Sequence, residues 1–406
     1  KRHAKYIESA VNATTSRFIS AKDLQSPAPY PDRLPDPGAP QLDDGVLSLW
    51  GGRDGIAALT ASDFMGNPAS EKKWGLRTLE DVDEVSIVCA ADILIEPSPA
   101  VAYAPLPVAK PNACLSRSSL AAGTVPLPVF APVEAAPQFS LDDVFHVQQA
   151  VVSHCEAMQY RFAILDPPDF SYPRQHVDLG EVQSWRNRFD SKYAALYYPW
   201  LLVLDPLQLR SQLVRRIPPS GHAAGVYANT DLTVGVHHAP ANVELQWAQD
   251  VTTNVTAEMQ GFLNPLGVNC MRMFRGRGLR IYGARTVSSD ASWRFVNVRR
   301  LLCMIEEALE ISLQWAVFEP NDFYLWQKVR MSASNFLDAL WQKGALTGNT
   351  AEDAYFVHCD QLTNPLAVTS VGEMVAEIGV APTQPAEFVI FRIGRTEDTL
   401  EVQEQS

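Results

Sequence analysis

Between Val298 and Ala316 apolar residues recur at Leu301, Leu302, Ile305, Leu309 and Leu313, the three-or-four spacing that lines one face of a helix, and Pro320 stops it. Arg299, Arg300, Glu306, Glu307 and Glu310 fall between them, so the other face is charged, basic at its start and acidic at its end. An ordinary amphipathic core helix satisfies that pattern. Ahead of it, Gly276 and Gly278 bracket Arg277, and Leu279, Ile281 and Tyr282 alternate as a strand entered through a flexible turn. Ser288, Ser289 and Asp290 are turn or helix-start residues between strand and helix.

Upstream the pattern changes several times. Tyr6, Ile7 and Val11 are spaced like a helix face, whereas residues 26–43 are dense in proline and read as an extended connector. Gly51, Gly52 and Gly55 surround Arg53 and Asp54; this loop lacks the lysine and hydroxyl of a phosphate loop and reads as a structural turn. Leu76–Asp83 predicts a short helix and Val85–Ala90 a buried strand. Residues 96–138, rich in proline and alanine, predict a surface insertion. Apolar spacing returns in a helix over Leu141–Met158 that starts at Ser140, then a strand over Arg161–Asp166, a helix over Val182–Phe189 and a strand over Ala194–Leu204. Two successive helix-to-strand alternations predict a mostly parallel, helix-covered sheet. The expected organisation is an N-terminal segment and connector over 1–43, an α/β middle domain over 44–285, and a C-terminal α+β domain over 286–406.

The last apolar run, Phe388, Val389, Ile390, Phe391, Arg392 and Ile393, is a strand by its alternation and composition. The acidic tail after it has too little apolar surface to fold alone, although Leu400 and Val402 alternate like a strand. A terminal strand of this kind can be an edge strand of its own chain, or pair with the open edge of a neighbour's sheet.

Charge narrows the function classes. With 33 basic and 46 acidic side chains the formal charge is −13, which argues against a general nucleic-acid binder. Against that background Arg272, Arg275, Arg277, Arg280, Arg285, Arg294, Arg299 and Arg300 cluster within thirty residues. They are either surface arginines balanced by the glutamates that follow, or an interface for acidic groups of a partner, Arg being suited to bidentate pairing. The six cysteines, Cys89, Cys114, Cys155, Cys270, Cys303 and Cys359, are scattered and read as buried free thiols made in a reducing cytoplasm. No apolar run reaches membrane-span length, so no membrane insertion is expected. The sequence opens on Lys1 without a charged-then-apolar leader, and further sequence ahead of it is expected.

Ser220, His222 and Asp231 lie close in sequence and hold the ingredients of acyl transfer. Pro219 precedes the serine, the GxSxG elbow is absent, and triad residues normally come from separate elements. His237 and His238, adjacent on an expected strand, would point to opposite faces and lack a third ligand. Neither a cofactor nor a metal is expected.

A resemblance gathers these pieces. GRGLRIYGARTVS from Gly276, the helix carrying VNVRRL and IEEALE, FEPND at Phe318–Asp322, FLDALWQKGALTG from Phe336, FVHCDQLTNP from Phe356 and VAPTQPAEFVIFRI from Val380 resemble the C-terminal region of contractile tail sheath proteins. YAALYYPWLLVLDP from Tyr193, PPSGHAAGVYANTD from Pro218, GVHHAPAN from Gly235 and LNPLGVN from Leu263 are similar to the same family in the same order. The resemblance implies a non-enzymatic subunit that polymerises with copies of itself as stacked rings around an inner tube. Baseplate and terminal cap proteins are then further partners, the particle being a phage tail, a bacteriocin or an injection system assembled in the bacterial cytoplasm. It implies that Phe388–Ile393 link neighbouring subunits, and that Arg294, Arg299, Arg300, Glu306, Glu307 and Glu310 face the tube or another subunit. The alternatives are the large subunit of a heterodimeric type VI secretion sheath and, from another class, a serine-type hydrolase.

Overall fold

The computed structural model describes residues 58–94, 137, 139–171, 178–204, 214–387, and the backbone of 390–395 and 398–405. The expected helix in 1–25, the connector, the glycine-rich turn and the insertion over 96–138, apart from residue 137, lie outside the described residues.

After the short helix α1 (Ala61–Met65), a 3-10 turn over Gly75–Asp81 stands where a short α-helix was expected. Strand β1 (Ile87–Cys89) then leads, past the insertion, to helix α2 (Leu141–Met158). Ser140 starts α2 because its hydroxyl accepts from the Asp143 N–H while the Asp143 carboxylate accepts from the Ser140 N–H, which satisfies two otherwise orphaned donors. β2 (Phe162–Leu165), α3 (Leu179–Arg186) and β3 (Ala194–Tyr198) complete the expected alternation. The sheet is parallel through β1, β2, β3 and β8 (Val268–Phe274), and ends in antiparallel β9 (Gly278–Tyr282) and β6 (Val243–Glu244).

Both faces of that sheet are buried, which is why its strands read as continuous apolar runs. Ala163, Leu165, Ala194 and Leu196 meet Val144, Val147 and Val151 of α2 and Val182 of α3 on one face. Phe162, Ile164, Ala195 and Tyr197 meet Ala223, Val226 and Tyr227 of α4 (Ser220–Thr233) on the other. The single strand expected over 194–204 is two. Pro199, after a cis bond to Tyr198, has no N–H to continue the ladder, and β4 (Leu201–Leu204) pairs in a separate sheet between β5 (Val214–Ile217) and β7 (Ala248–Val251).

Asn269 locks β8 to its neighbours. It is fully buried; its Nδ2 donates to the carbonyls of Leu196 (3.2 Å) and Arg285 (2.7 Å), and its Oδ1 accepts from the Arg285 N–H (2.7 Å). Asn269→Ala would strand three backbone groups, and a loss of about 3 kcal/mol in urea unfolding is expected.

Helix α5 (Ala257–Leu263) precedes β8. Helix α6 (Val296–Ser312), starting two residues before the expected Val298, joins the two regions of the chain. Val296 packs with the α4 face of the sheet and Cys303 with the α2 face, while Leu301, Ile305 and Leu309 pack against Ala333 and Leu337 of α7 (Phe323–Gln342). The antiparallel pair β10 (Tyr355–His358) and β11 (Glu377–Val380) closes this second core. At the end, β12 (Ile390–Arg395) pairs antiparallel with β13 (Asp398–Gln405), so the polar tail does form a strand. Those two strands belong to neither of the larger sheets.

Candidate assembly surfaces

The charged residues of α6 divide between the interior and the surface. Arg299 is only 2% exposed; its Nη2 donates to Glu306 at 2.6 Å, its Nε to Cys303 Sγ at 3.3 Å, and its guanidinium lies between the rings of Tyr193 and Trp293. Arg300 makes a two-pronged pair with Asp231 of α4 at 2.9 and 2.6 Å and lies 4.8 Å from the Tyr227 ring centroid. These two arginines are engaged within the subunit: Arg299 with Glu306 further along α6 and with two rings, Arg300 with Asp231 and Tyr227 of α4. Arg294, Glu306 and Glu310 are exposed and Glu307 is half-buried. Glu310 accepts from the Tyr160 hydroxyl, which pushes the Tyr160 pKa up to about 12 with some help from burial. Burial raises the Glu307 pKa, and Asp83 adds to the effect.

A further exposed face was not anticipated. Val317, Phe318, Phe323, Tyr324 and Met331 are all exposed between the end of α6 and the middle of α7, Phe318 completely and in a left-handed conformation (φ 68°). Lys328 and Arg330 on α7 are exposed beside them and form no ion pair among the described residues. An apolar patch of this kind marks an interaction surface. Its sequence signal was available: Leu325, Val329, Ala333 and Leu337 already fill one stripe of α7, which leaves Phe323, Tyr324 and Met331 on the other side.

Of the strand Phe388–Ile393, the first two residues lie outside the described residues, and Ile390–Ile393 form most of β12.

The residues with acyl-transfer ingredients do not form a site. Ser220 is fully buried at the start of α4, its N–H donating to Asp166 Oδ1 at 2.7 Å, and Asp231 is engaged by Arg300. Burial lowers the His222 pKa. His237 and His238 lie in the turns between α4 and β6, not on a strand, and burial followed by the neighbouring His238 lowers the His237 pKa. Among the described residues no three His, Cys, Asp or Glu converge as a metal site, and no helix is long and apolar enough to cross a membrane. Cys155, Cys270, Cys303 and Cys359 are buried free thiols, and burial pushes Cys155 and Cys270 up to about 12, far from a reactive thiolate; Cys89 is free and exposed, and Cys114 lies outside the described residues.

A two-core subunit with buried structural charges, a large exposed apolar face and a separate terminal strand pair is the build of an assembly protein. Two family models match end to end: the phage tail sheath protein central domain over residues 141–287 and the phage tail sheath C-terminal domain over 288–395. The chain belongs to the contractile tail sheath family. A tail sheath protein of Vibrio phage KVP40 is 25% identical over 279 residues, covering 64% of this chain and 39% of the relative. One from Salmonella phage ViI is 22% identical over 278 residues, covering 67% and 43%, so the chain spans less than half of these relatives' length. Among solved structures, the sheath complex of the extracellular contractile injection system PVC in its contracted state is 35% identical, with a TM-score of 0.55, covering 62% of this chain and 68% of that one. The contracted helical sheath of the anti-feeding prophage is 36% identical with a TM-score of 0.52, covering 62% and 67%.

Proposed function

We propose that this chain is the repeating subunit of a contractile sheath, polymerising around an inner tube and driving it through a target envelope by contraction, with no catalytic step of its own. The carrying observation is the likeness, at more than a third identity, to a helical sheath in its contracted state. In this reading the middle domain spans 44–285 and the C-terminal domain 286–406. Phe388–Ile393 is a strand donated between subunits, and Arg294, Glu306, Glu307 and Glu310 face the tube or a neighbour, joined by the apolar and basic side of α7. Baseplate and cap proteins complete the particle, which is assembled in the bacterial cytoplasm. Contraction is then a change in how stable domains pack on one another, driven by the free-energy difference between two packings.

Negative-stain electron microscopy of the protein expressed with and without its inner tube protein tests this directly. Striated tubes are expected; uniformly monomeric protein in both cases would overturn the reading. Deletion after Glu387, which keeps the carboxylate that pairs with the buried Arg285, is expected to abolish tubes while leaving the unfolding midpoint of the monomer within a few degrees, and an intact sheath from the truncated chain would sink the strand linkage.

A further inference from the structure

Arg285 is a buried cation whose one carboxylate partner among the described residues lies 102 positions further along the chain. Its backbone is fixed on both sides: the N–H donates to Asn269 Oδ1, the carbonyl accepts from Asn269 Nδ2, and the residue bridges to Phe295. From that fixed point Nη1 donates to the Asn264 carbonyl at 3.2 Å, while Nε, at 2.8 Å, and Nη2 donate to the two oxygens of Glu387. A fork of this kind holds a carboxylate in one plane as well as at one distance. Opening it leaves a buried guanidinium without its counter-charge, so the pair stays closed in the folded subunit.

Glu387 stands immediately before the Phe388–Ile393 strand. Ahead of it, the chain is last held to the body at Thr383: its N–H donates to the Ala345 carbonyl (3.2 Å), its hydroxyl to the Gly344 carbonyl (3.0 Å), and its carbonyl accepts from Asn297 Nδ2 (3.1 Å). Gln384, Pro385 and Ala386 form no hydrogen bond among the described residues and line a cleft of about 560 Å³ opposite Tyr282 and His237. They make a short strap pinned at both ends and stiffened by Pro382 and Pro385. Without the pin at Glu387 the nearest tether is Thr383, which frees the root of the strand over four more residues, about 13–14 Å of extended chain.

We propose that Arg285 is the positioning residue of the subunit linkage: by clamping Glu387 it fixes the point and direction at which the Phe388–Ile393 strand leaves the subunit for the open sheet edge of a neighbour. The inference rests on the reading of that strand as one donated between subunits. A strand on a pinned root is presented to one edge at a higher effective concentration than the same strand on a longer tether, and less chain has to be ordered when it pairs. The clamp also joins two stretches that stand out in the sequence, GRGLRIYGARTVS with Arg285 and VAPTQPAEFVIFRI with Glu387.

Two variants of the full chain separate positioning from simple stabilisation. Glu387→Gln opens the clamp, and because it leaves Arg285 uncompensated its unfolding midpoint is expected to fall. Insertion of two glycines between Glu387 and Phe388 keeps the pair and loosens only the strand beyond it, with a midpoint expected to match the parent's. Both are expected to raise the concentration needed for tube formation by about tenfold, read by sedimentation. A nitroxide carried on an unnatural amino acid at Ala386, which is exposed on the strap, reads the clamp in the soluble subunit. Its spectrum is expected to be immobilised in the parent and in the insertion variant, and sharpened in Glu387→Gln. Tubes from the insertion variant at the parent's concentration would show that the pair stabilises the fold without positioning the strand, and labels equally mobile in the parent and Glu387→Gln would show that nothing is clamped; either result overturns the proposal. A parent with an immobilised label that never forms tubes would count against the sheath reading and support the clamp.

Discussion

Asp231→Ala is expected to destabilise the subunit by about 3–4 kcal/mol, the range found when one member of a buried ion pair is removed and the other stays behind uncompensated. Arg300 is 6% exposed and has Asp231 as its only carboxylate partner among the described residues, the remaining contact being the face of Tyr227. Without the carboxylate its guanidinium is left largely buried with no opposite charge beside it. The cost is therefore structural as well as electrostatic: the pair fastens the helix that carries the C-terminal core to a helix that covers the central sheet. The double variant Asp231→Leu with Arg300→Met, which removes both charges and keeps the volume apolar, is expected to recover most of the loss. Guanidinium unfolding of the three proteins measures this. If the single variant falls within about 0.5 kcal/mol of the parent, Arg300 has found solvent and the pair is not a fastening.

The same pair shows where sequence reading reaches and where it stops. Periodicity located α2, with its start at Ser140, because an apolar stripe and a capping pair are both local features. It located β2 and the helix-strand alternation for the same reason, and from the alternation it placed the strands in a parallel sheet. It could not see that Arg299 and Arg300 turn inward, since two of the partners that justify their burial, Tyr193 for Arg299 and Asp231 for Arg300, are distant in sequence. A charged residue flanking an apolar stripe has no local signal of its orientation. The break at Pro199 was legible in principle from the proline's missing N–H, but the surrounding apolar run outweighed it. The ordered resemblances carried the family, which no single physical pattern in the chain specifies.

Asp166 produces the second large effect, and its sign is opposite to that of the usual stabilising carboxylate. Its side chain is buried at the carboxyl end of β2, accepting from the Ser220 N–H at the start of α4, with no cation paired to it among the described residues and the Cys89 thiol nearby. Burial pushes its pKa up to about 7, against a smaller opposing pull from the hydroxyl and N–H of Ser220. In the unfolded chain the same group titrates near 3.8. Below that pH it is neutral in both states and costs nothing; as pH rises from 3.8 towards 7 the unfolded chain gains stability by ionising while the folded one does not. Above 7 the loss is complete, at about 1.4 kcal/mol per unit of displacement and so about 4 kcal/mol at most. Asp166→Asn keeps an oxygen to accept from Ser220 and removes the charge. The variant is therefore expected to exceed the parent in stability by a few kcal/mol at pH 8, with the difference closing by pH 4. Urea unfolding at pH 8, 6 and 4.5 gives the answer: a difference independent of pH would show that the carboxyl is ionised in the fold, held by the N-terminal dipole of α4 strongly enough to outweigh its burial.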